Sequence, residues 1–166
     1  QTCALPISGT IEAHEIPAKP LDPYSYYNGD FIALEKAHLN KGWRLVDNWH
    51  PDNKAGKRNG FVDVLMLEAT RPRDRLTLDF QGKAIGIFCV SGPSAGILEY
   101  SVDGAPFKEL DTFTEWSHNL YIPWVYMLET ELKDTDHKLV LRMSKKKNPA
   151  SQGTECQIRN FVVNGR

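Results

Sequence analysis

The sequence predicts an all-β fold, an antiparallel β-sandwich, and three observations carry that prediction. Leu76, Leu78 and Phe80 alternate with Arg75, Thr77 and Asp79, and Leu139, Leu141 and Met143 alternate with Lys138, Val140 and Arg142. Side chains two apart share one face of a strand, so each set marks a half-buried strand. Short apolar runs are punctuated by turn formers, the strongest being Asp103-Gly104. A type I′ hairpin turn needs positive φ at both central positions, which these residue types tolerate. No long stretch carries the period of an amphipathic helix.

The elements follow in order. Residues 1–8, QTCALPIS, lack the basic start and long apolar stretch of a secretory leader. They are also too short to span a membrane. They resemble the translated end of a common sequencing adaptor fused to an environmental read. They are therefore expected to be an artefact without fold information, and the chain to be the tail of something longer. Residues 9–29 hold Pro17, Pro20 and Pro23, which block helix and central strand alike. This reads as a linker or extended segment leading into a sandwich module over residues 30–166. Residues 31–37 fit strand or helix. Residues 42–49 fit a strand with an aromatic near each end, residues 50–60 a polar loop, and residues 61–67 a strand. Arg71-Pro72-Arg73-Asp74 reads as a turn. After the alternating strand and a turn at residues 81–83, residues 84–90 are continuously apolar, as a central strand is. Residues 97–102 and 106–111 flank the hairpin turn. An aromatic segment and strands over 138–143 and 156–163 complete the sheets.

Composition excludes several functions. The 166 residues carry a formal charge of −1, without the basic excess of a nucleic-acid footprint. The only basic run, SKKKN at residues 144–148, reads as a solvated loop. No segment approaches transmembrane length, so neither nucleic acid nor membrane is expected as a partner. Cys3 falls in the expected artefact, Cys89 in an apolar run, and Cys156 before a strand; no spacing suggests zinc. Whether Cys89 and Cys156 pair stays open. His14, His38, His50 and His118 share no ligand spacing. Asp103, Asp111 and Glu115 are the acids a calcium ion would use, but nothing marks a site. No metal and no cofactor is expected.

Two strings look like hydrolase machinery. Gly92-Pro93-Ser94-Ala95-Gly96 fits G-x-S-x-G, but a nucleophile elbow needs a helix after the serine. Here a strand and a hairpin turn follow. Asp134-Thr135-Asp136-His137 fits a D-x-x-H spacing, yet reads as turn chemistry and a strand-entry histidine. Ser94, Asp134 and His137 are therefore decoys, and no catalytic residue is expected.

Residues 111–128, DTFTEWSHNLYIPWVYML, are densest in aromatics. Rings that stack on sugar C–H faces, rimmed by polar groups, suit glycans. Trp116, Tyr121 and Trp124, helped by Glu115, Ser117 and His118, are the candidate ligand residues, with Trp43 and Trp49 added. The alternative is a packed crossover in which the indoles cap the sandwich.

The stretches LDPYSYYNGDF, GFVDVLMLEA, GKAIGIFCVSGPSAGILEYSVDG, FTEWSHNLYIPW and QIRNFVVNG together resemble the C-terminal β-sandwich of bacterial SGNH/GDSL-type, carbohydrate-esterase-like hydrolases. The resemblance covers about residues 20–166. The fold expected is an all-β antiparallel sandwich, jelly-roll-like in the manner of galactose-binding domains, with a Pro-rich N-terminal extension. In that family a flavodoxin-like esterase domain precedes the sandwich. It carries the serine block, the oxyanion-hole residues and a late D-x-x-H, none of which has a counterpart here. The family often has an acidic residue at the position of Ser94. The resemblance implies a missing upstream esterase domain, a glycan ligand and a secreted or periplasmic bacterial protein. The function expected is a non-catalytic accessory module that supports the catalytic domain, holding substrate or covering the esterase cleft. A purely structural interdomain module is the alternative, and a small hydrolase using Ser94 and His137 comes last.

Overall fold

In the computed structural model, residues 15, 17–40 and 42–165 are described. The expected artefact at residues 1–8, Cys3 and His14 lie outside them. Among the described residues the strands are β1 (Gly29–Ile32), β2 (His38–Leu39), β3 (Arg44–Trp49), β4 (Val64–Ala69), β5 (Arg75–Gly82) and β6 (Ile85–Ser91). They continue with β7 (Ile97–Val102), β8 (Lys108–Asp111), β9 (Ile122–Glu129), β10 (Thr135–Met143) and β11 (Cys156–Asn164). Two sheets result, both antiparallel. The first runs β3-β4-β11-β6-β9, with β1 also on β11, and the second runs β2-β5-β10-β7-β8. The all-β sandwich is thus observed.

The alternating strands build the core between the sheets. Leu76, Leu78 and Phe80 of β5 and Leu139, Leu141 and Met143 of β10 are buried. They meet Leu67, Ile85, Ile87, Ile158 and Phe161 from the first sheet. Burying such side chains contributes roughly 1.5–3 kcal/mol each, as an upper bound. β6 lies between β11 and β9, which explains its continuous apolarity. Asp103 and Gly104 adopt φ of 52° and 77°, the positive values the hairpin requires.

Several local expectations are corrected. Residues 31–37 split into β1 and a 3₁₀ turn over Leu34–Lys36. Leu34 and Ala37, three apart, both reach the core, a spacing that one 3₁₀ turn satisfies. β4 starts at Val64 because Asp63 has φ 58°, which interrupts extended backbone. Phe61 instead packs edge-to-face on Phe88 at 5.4 Å. β5 runs on through Gln81 and Gly82, so the turn comes one step later than residues 81–83. Cys89 and Cys156 are buried free thiols, not a disulfide. Burial pushes the Cys89 thiol up to about 12, so it behaves as a small apolar residue.

The first sheet is apolar on both faces. Val46 pairs with Met66 and Trp49 with Val64 on the face turned away from the core. There Trp49, Met66, Val90 and Tyr121 form a second buried cluster, covered by Ala55, Phe61 and Val62. The loop over residues 50–63 is the cover.

Candidate functional site

Strand register assembles a polar row on this outer face. Arg44 stands opposite Glu68 across β3 and β4, and Gln157 opposite Glu68 across β4 and β11. Arg44 donates to Glu68 Oε2 through Nη2 at 2.6 Å and Nε at 3.0 Å. Trp49 Nε1 donates to Glu68 Oε1 at 3.0 Å. Gln157 Nε2 reaches Glu68 Oε1 at 3.4 Å and Glu155 Oε2 at 3.3 Å. Glu68 is 7 % exposed and fully engaged, as a buried carboxylate must be. Glu155 has no cationic partner among the ion pairs of the described residues. Burial raises its carboxyl above the usual range, against the bond from Gln157, and the nearby Glu68 charge adds to the rise.

Two aromatic rings wall the site. Trp49 and Tyr121 meet edge-to-face at 5.6 Å, and Asn53 Nδ2 donates to the Tyr121 hydroxyl at 2.8 Å. Burial raises the Tyr121 phenol. Gly92 makes room for this ring, since a Cβ there would lie 2.1 Å from Tyr121 Cε1. Asn48, at a bulge in β3, has φ 51°. A non-glycine residue in this region marks strain that commonly accompanies function. Together these groups line an open cleft of about 610 Å³, which Asp52 and Ser94 also border. It offers donors (Arg44, Asn53, Gln157), acceptors (Asp52, Glu155) and ring edges. That is the mixture sugar hydroxyls require.

The decoys serve structure. Residues 92–95 form a turn between β6 and β7, with the Ala95 N–H on the Gly92 carbonyl at 3.0 Å. No helix follows. The Ser94 carbonyl accepts the Glu155 N–H at 2.8 Å, so this turn positions Glu155 in the cleft. His137 is the third residue of β10, not a residue at its entry, because β10 already begins at Thr135. Its Nδ1 meets Asp103 Oδ2 at 2.6 Å and its Nε2 meets the Lys133 carbonyl at 2.8 Å. Thr135 Oγ1 also stands 3.5 Å from Nε2, so both ring nitrogens are taken up by structural partners. Burial opposes protonation, but these bonds outweigh it and hold the imidazole above its ordinary pKa. Asp134 precedes β10 in the turn. His50 borders the same cleft as Ser94 and is turned toward Asp63 at 2.9 Å. No hydrogen bond joins it to Ser94.

The other predicted ligand residues are divided. Trp49 and Tyr121 lie in the cleft wall. Trp43 is a core residue, 5 % exposed, with its Nε1 unpartnered. Ser117 is fully buried and accepts the Thr114 N–H at 3.0 Å, closing a turn. Trp116 and Trp124 are 56 % and 43 % exposed and border no part of the cleft. Glu115 is exposed, and His118 lies edge-on to Phe113 at 5.1 Å. His118 borders a smaller hollow of about 210 Å³ with Asn53 and Pro93. Asp103 is engaged by His137, and Asp111 by the Phe113 N–H and Asn148. Among the described residues no group of acids, histidines and cysteines is arranged to hold a metal, and no helix is long and apolar enough to cross a membrane. Arg44, Asn53, Glu68, Glu155 and Gln157 were not singled out from sequence. Their signal was an acid inside the apolar run VLMLEA, and Glu155 and Gln157 alternating with Cys156 and Ile158.

No protein-family model matches this chain, and no curated protein matches it. Solved structures share its fold. A two-domain esterase (CEX) active on acetylated mannans, co-crystallized with mannopentaose, superposes with TM-score 0.66 at 17 % identity, over 90 % of this chain and 39 % of that one. A family two carbohydrate esterase from Cellvibrio japonicus gives TM-score 0.50 at 12 % identity, over 83 % of this chain and 34 % of that one. An exo-β-1,3-galactanase from Phanerochaete chrysosporium, crystallized with galactose, gives TM-score 0.50 at 11 % identity, over 81 % of this chain and 29 % of that one. The chain therefore matches well under half the length of each. At such identities the likeness is one of fold: a β-sandwich that also occurs in carbohydrate esterases and a galactanase.

Proposed function

We propose that this chain is a non-catalytic, glycan-binding accessory β-sandwich of an SGNH/GDSL-type carbohydrate esterase. The outer-face cleft carries the reading. It presents a carboxylate without a cationic partner, Glu155, held only by Gln157, beside satisfied polar groups and two aromatic walls. At about 610 Å³ it accommodates a short sugar segment. Residues 9–29 act as the linker and residues 30–166 as the module. The partner is an esterase domain upstream in the same polypeptide, and the parent protein is secreted or periplasmic. The exposed Trp116 and Trp124, with Glu115 and His118, form a separate candidate sugar-contacting surface. The test is calorimetric titration with acetylated and plain manno-oligosaccharides. Binding that falls at least about tenfold in Glu155→Ala supports the cleft; binding unchanged in Glu155→Ala but lost in Trp116→Ala moves the site to the exposed indoles. Absence of binding to either series removes the reading.

A second reading, a structural interdomain module, has its own observation. Tyr26, Phe31, Val125, Met127 and Val162 line an apolar hollow of about 330 Å³ on the other half of the outer face. Exposed apolar surface of this kind favours burial against a partner. The entering segment at Tyr26 and Gly29 borders it, so a domain joined through that segment is tethered at high effective concentration.

A further inference from the structure

We propose that a cationic groove on the second sheet binds an acidic polysaccharide through Arg73, Arg75 and Lys145. This site is distinct from the cleft and stands on the opposite sheet. Strand register again builds a row. Arg75 faces Arg142 across β5 and β10, and Arg142 faces Glu99 across β10 and β7. Like charges directly opposite each other destabilise a sheet unless something compensates them. Glu99 compensates only Arg142, whose Nε donates to its carboxylate, while Ser144 Oγ donates to Oε1 at 2.9 Å. Burial favours a protonated Glu99, but the bonds from Arg142 and Ser144 and the nearby cations prevail and keep it ionised.

The remaining cations come from two loops. Arg73 lies in the β4–β5 turn with φ 72°, and its N–H donates to the Met143 carbonyl at 2.9 Å. This strained turn is thereby fastened to the end of β10. Lys145 and Lys146 follow β10, in the basic run that reads from sequence as a solvated loop. The acids at hand are already engaged. Asp74 is buried and turned to Arg71, and Glu109 holds Lys146 at 2.5 Å. No ion pair among the described residues involves Arg73, Arg75 or Lys145. The groove these residues line holds about 530 Å³, room for a short run of sugar rings.

Guanidinium groups grip carboxylates bidentately, so a chain of uronate residues suits paired arginines. Nucleic acid suits them less. Base stacking needs open aromatic faces, and the nearby Phe107 ring is covered by the Arg142 guanidinium at 3.8 Å.

Affinity electrophoresis of the full chain through gels containing polygalacturonate tests the site, with neutral mannan and single-stranded DNA gels in parallel. Retardation by polygalacturonate is expected, falling with added salt. The double variant R73A/R75A should weaken it at least about tenfold, with thermal melting unchanged or raised, since both side chains are exposed and Arg75 no longer opposes Arg142. Lys145→Glu, in the loop, should weaken it independently, and R75K should rescue only part of the loss. No retardation, retardation unaffected by these variants, or equal retardation by DNA overturns the proposal. Mannan retardation reports on the neutral-sugar surfaces of the proposed function and should not change in these variants.

Discussion

The two halves of the first sheet's outer face make opposite use of the same architecture. Over β3 and β4 the loop of residues 50–63 folds back. Met66 and Val90 are sealed to 0 % and 2 % exposure, and the polar row of Arg44, Glu68 and Gln157 is left at the rim as a cleft. Over β1 and residues 125–127 of β9 no such loop lies among the described residues. Phe31, Val125 and Met127 stay 59 %, 48 % and 39 % exposed. A sheet that is apolar on both faces must have both covered. One half is covered by the chain itself, and the cover creates a site. The other half stays bare.

The largest expected effect tests whether the covered half is a true second core. Met66→Ala should cost about 2–5 kcal/mol in urea unfolding, because the cavity it leaves is sealed. Glu68→Ala should follow at about 1–3 kcal/mol, since the buried Trp49 Nε1 loses its acceptor, and sugar binding should vanish with it. Equal, negligible losses for both would show that the loop does not seal this face.

Glu155→Gln should act with the opposite sign on stability. The folded-state pKa of Glu155 is raised, so its contribution is favourable below the unfolded value and is lost as pH rises through the folded one. At neutral pH the charged form is therefore a burden. The amide should stabilise the chain modestly, the effect being damped by solvent screening, and this gain should fade as pH falls below the unfolded carboxyl's value of about 4. Sugar binding should weaken at the same time, as when a site retains strain for function. Chemical denaturation across pH, beside calorimetry, checks both. A variant that is less stable at pH 7 would contradict a carboxylate left without a cationic partner. The smallest effect belongs to the bare half. Met127→Ala and Phe31→Ser should change the stability of this chain by less than about 0.5 kcal/mol. In a longer polypeptide bearing an esterase domain, the same changes should loosen domain docking, read as accelerated hydrogen exchange over β9.

Much of the fold was legible because its signals are local. Alternation marked β5 and β10, unbroken apolarity marked β6, and Asp103-Gly104 marked the hairpin. The site was less legible. Aromatic density pointed to residues 111–128, yet an indole serves a core and a ligand equally well. Trp43 went to the core, Trp49 to a cleft wall and Trp116 to the surface. The polar row was hidden because Glu68 meets Arg44 across 24 residues and Gln157 across 89.

The amino-acid sequence by itself determined which residues form strands and which face of each strand is apolar, because a two-residue period is a property of neighbours. It also excluded a helical perch for Ser94, since the residues after it carry strand and turn chemistry. Only the tertiary structure decided that Glu155, Gln157, Glu68 and Arg44 share one cleft, and that Arg73 and Arg75 join the lysine loop on the opposite sheet. Those groupings depend on strand order and register, which bring together side chains that no local pattern relates.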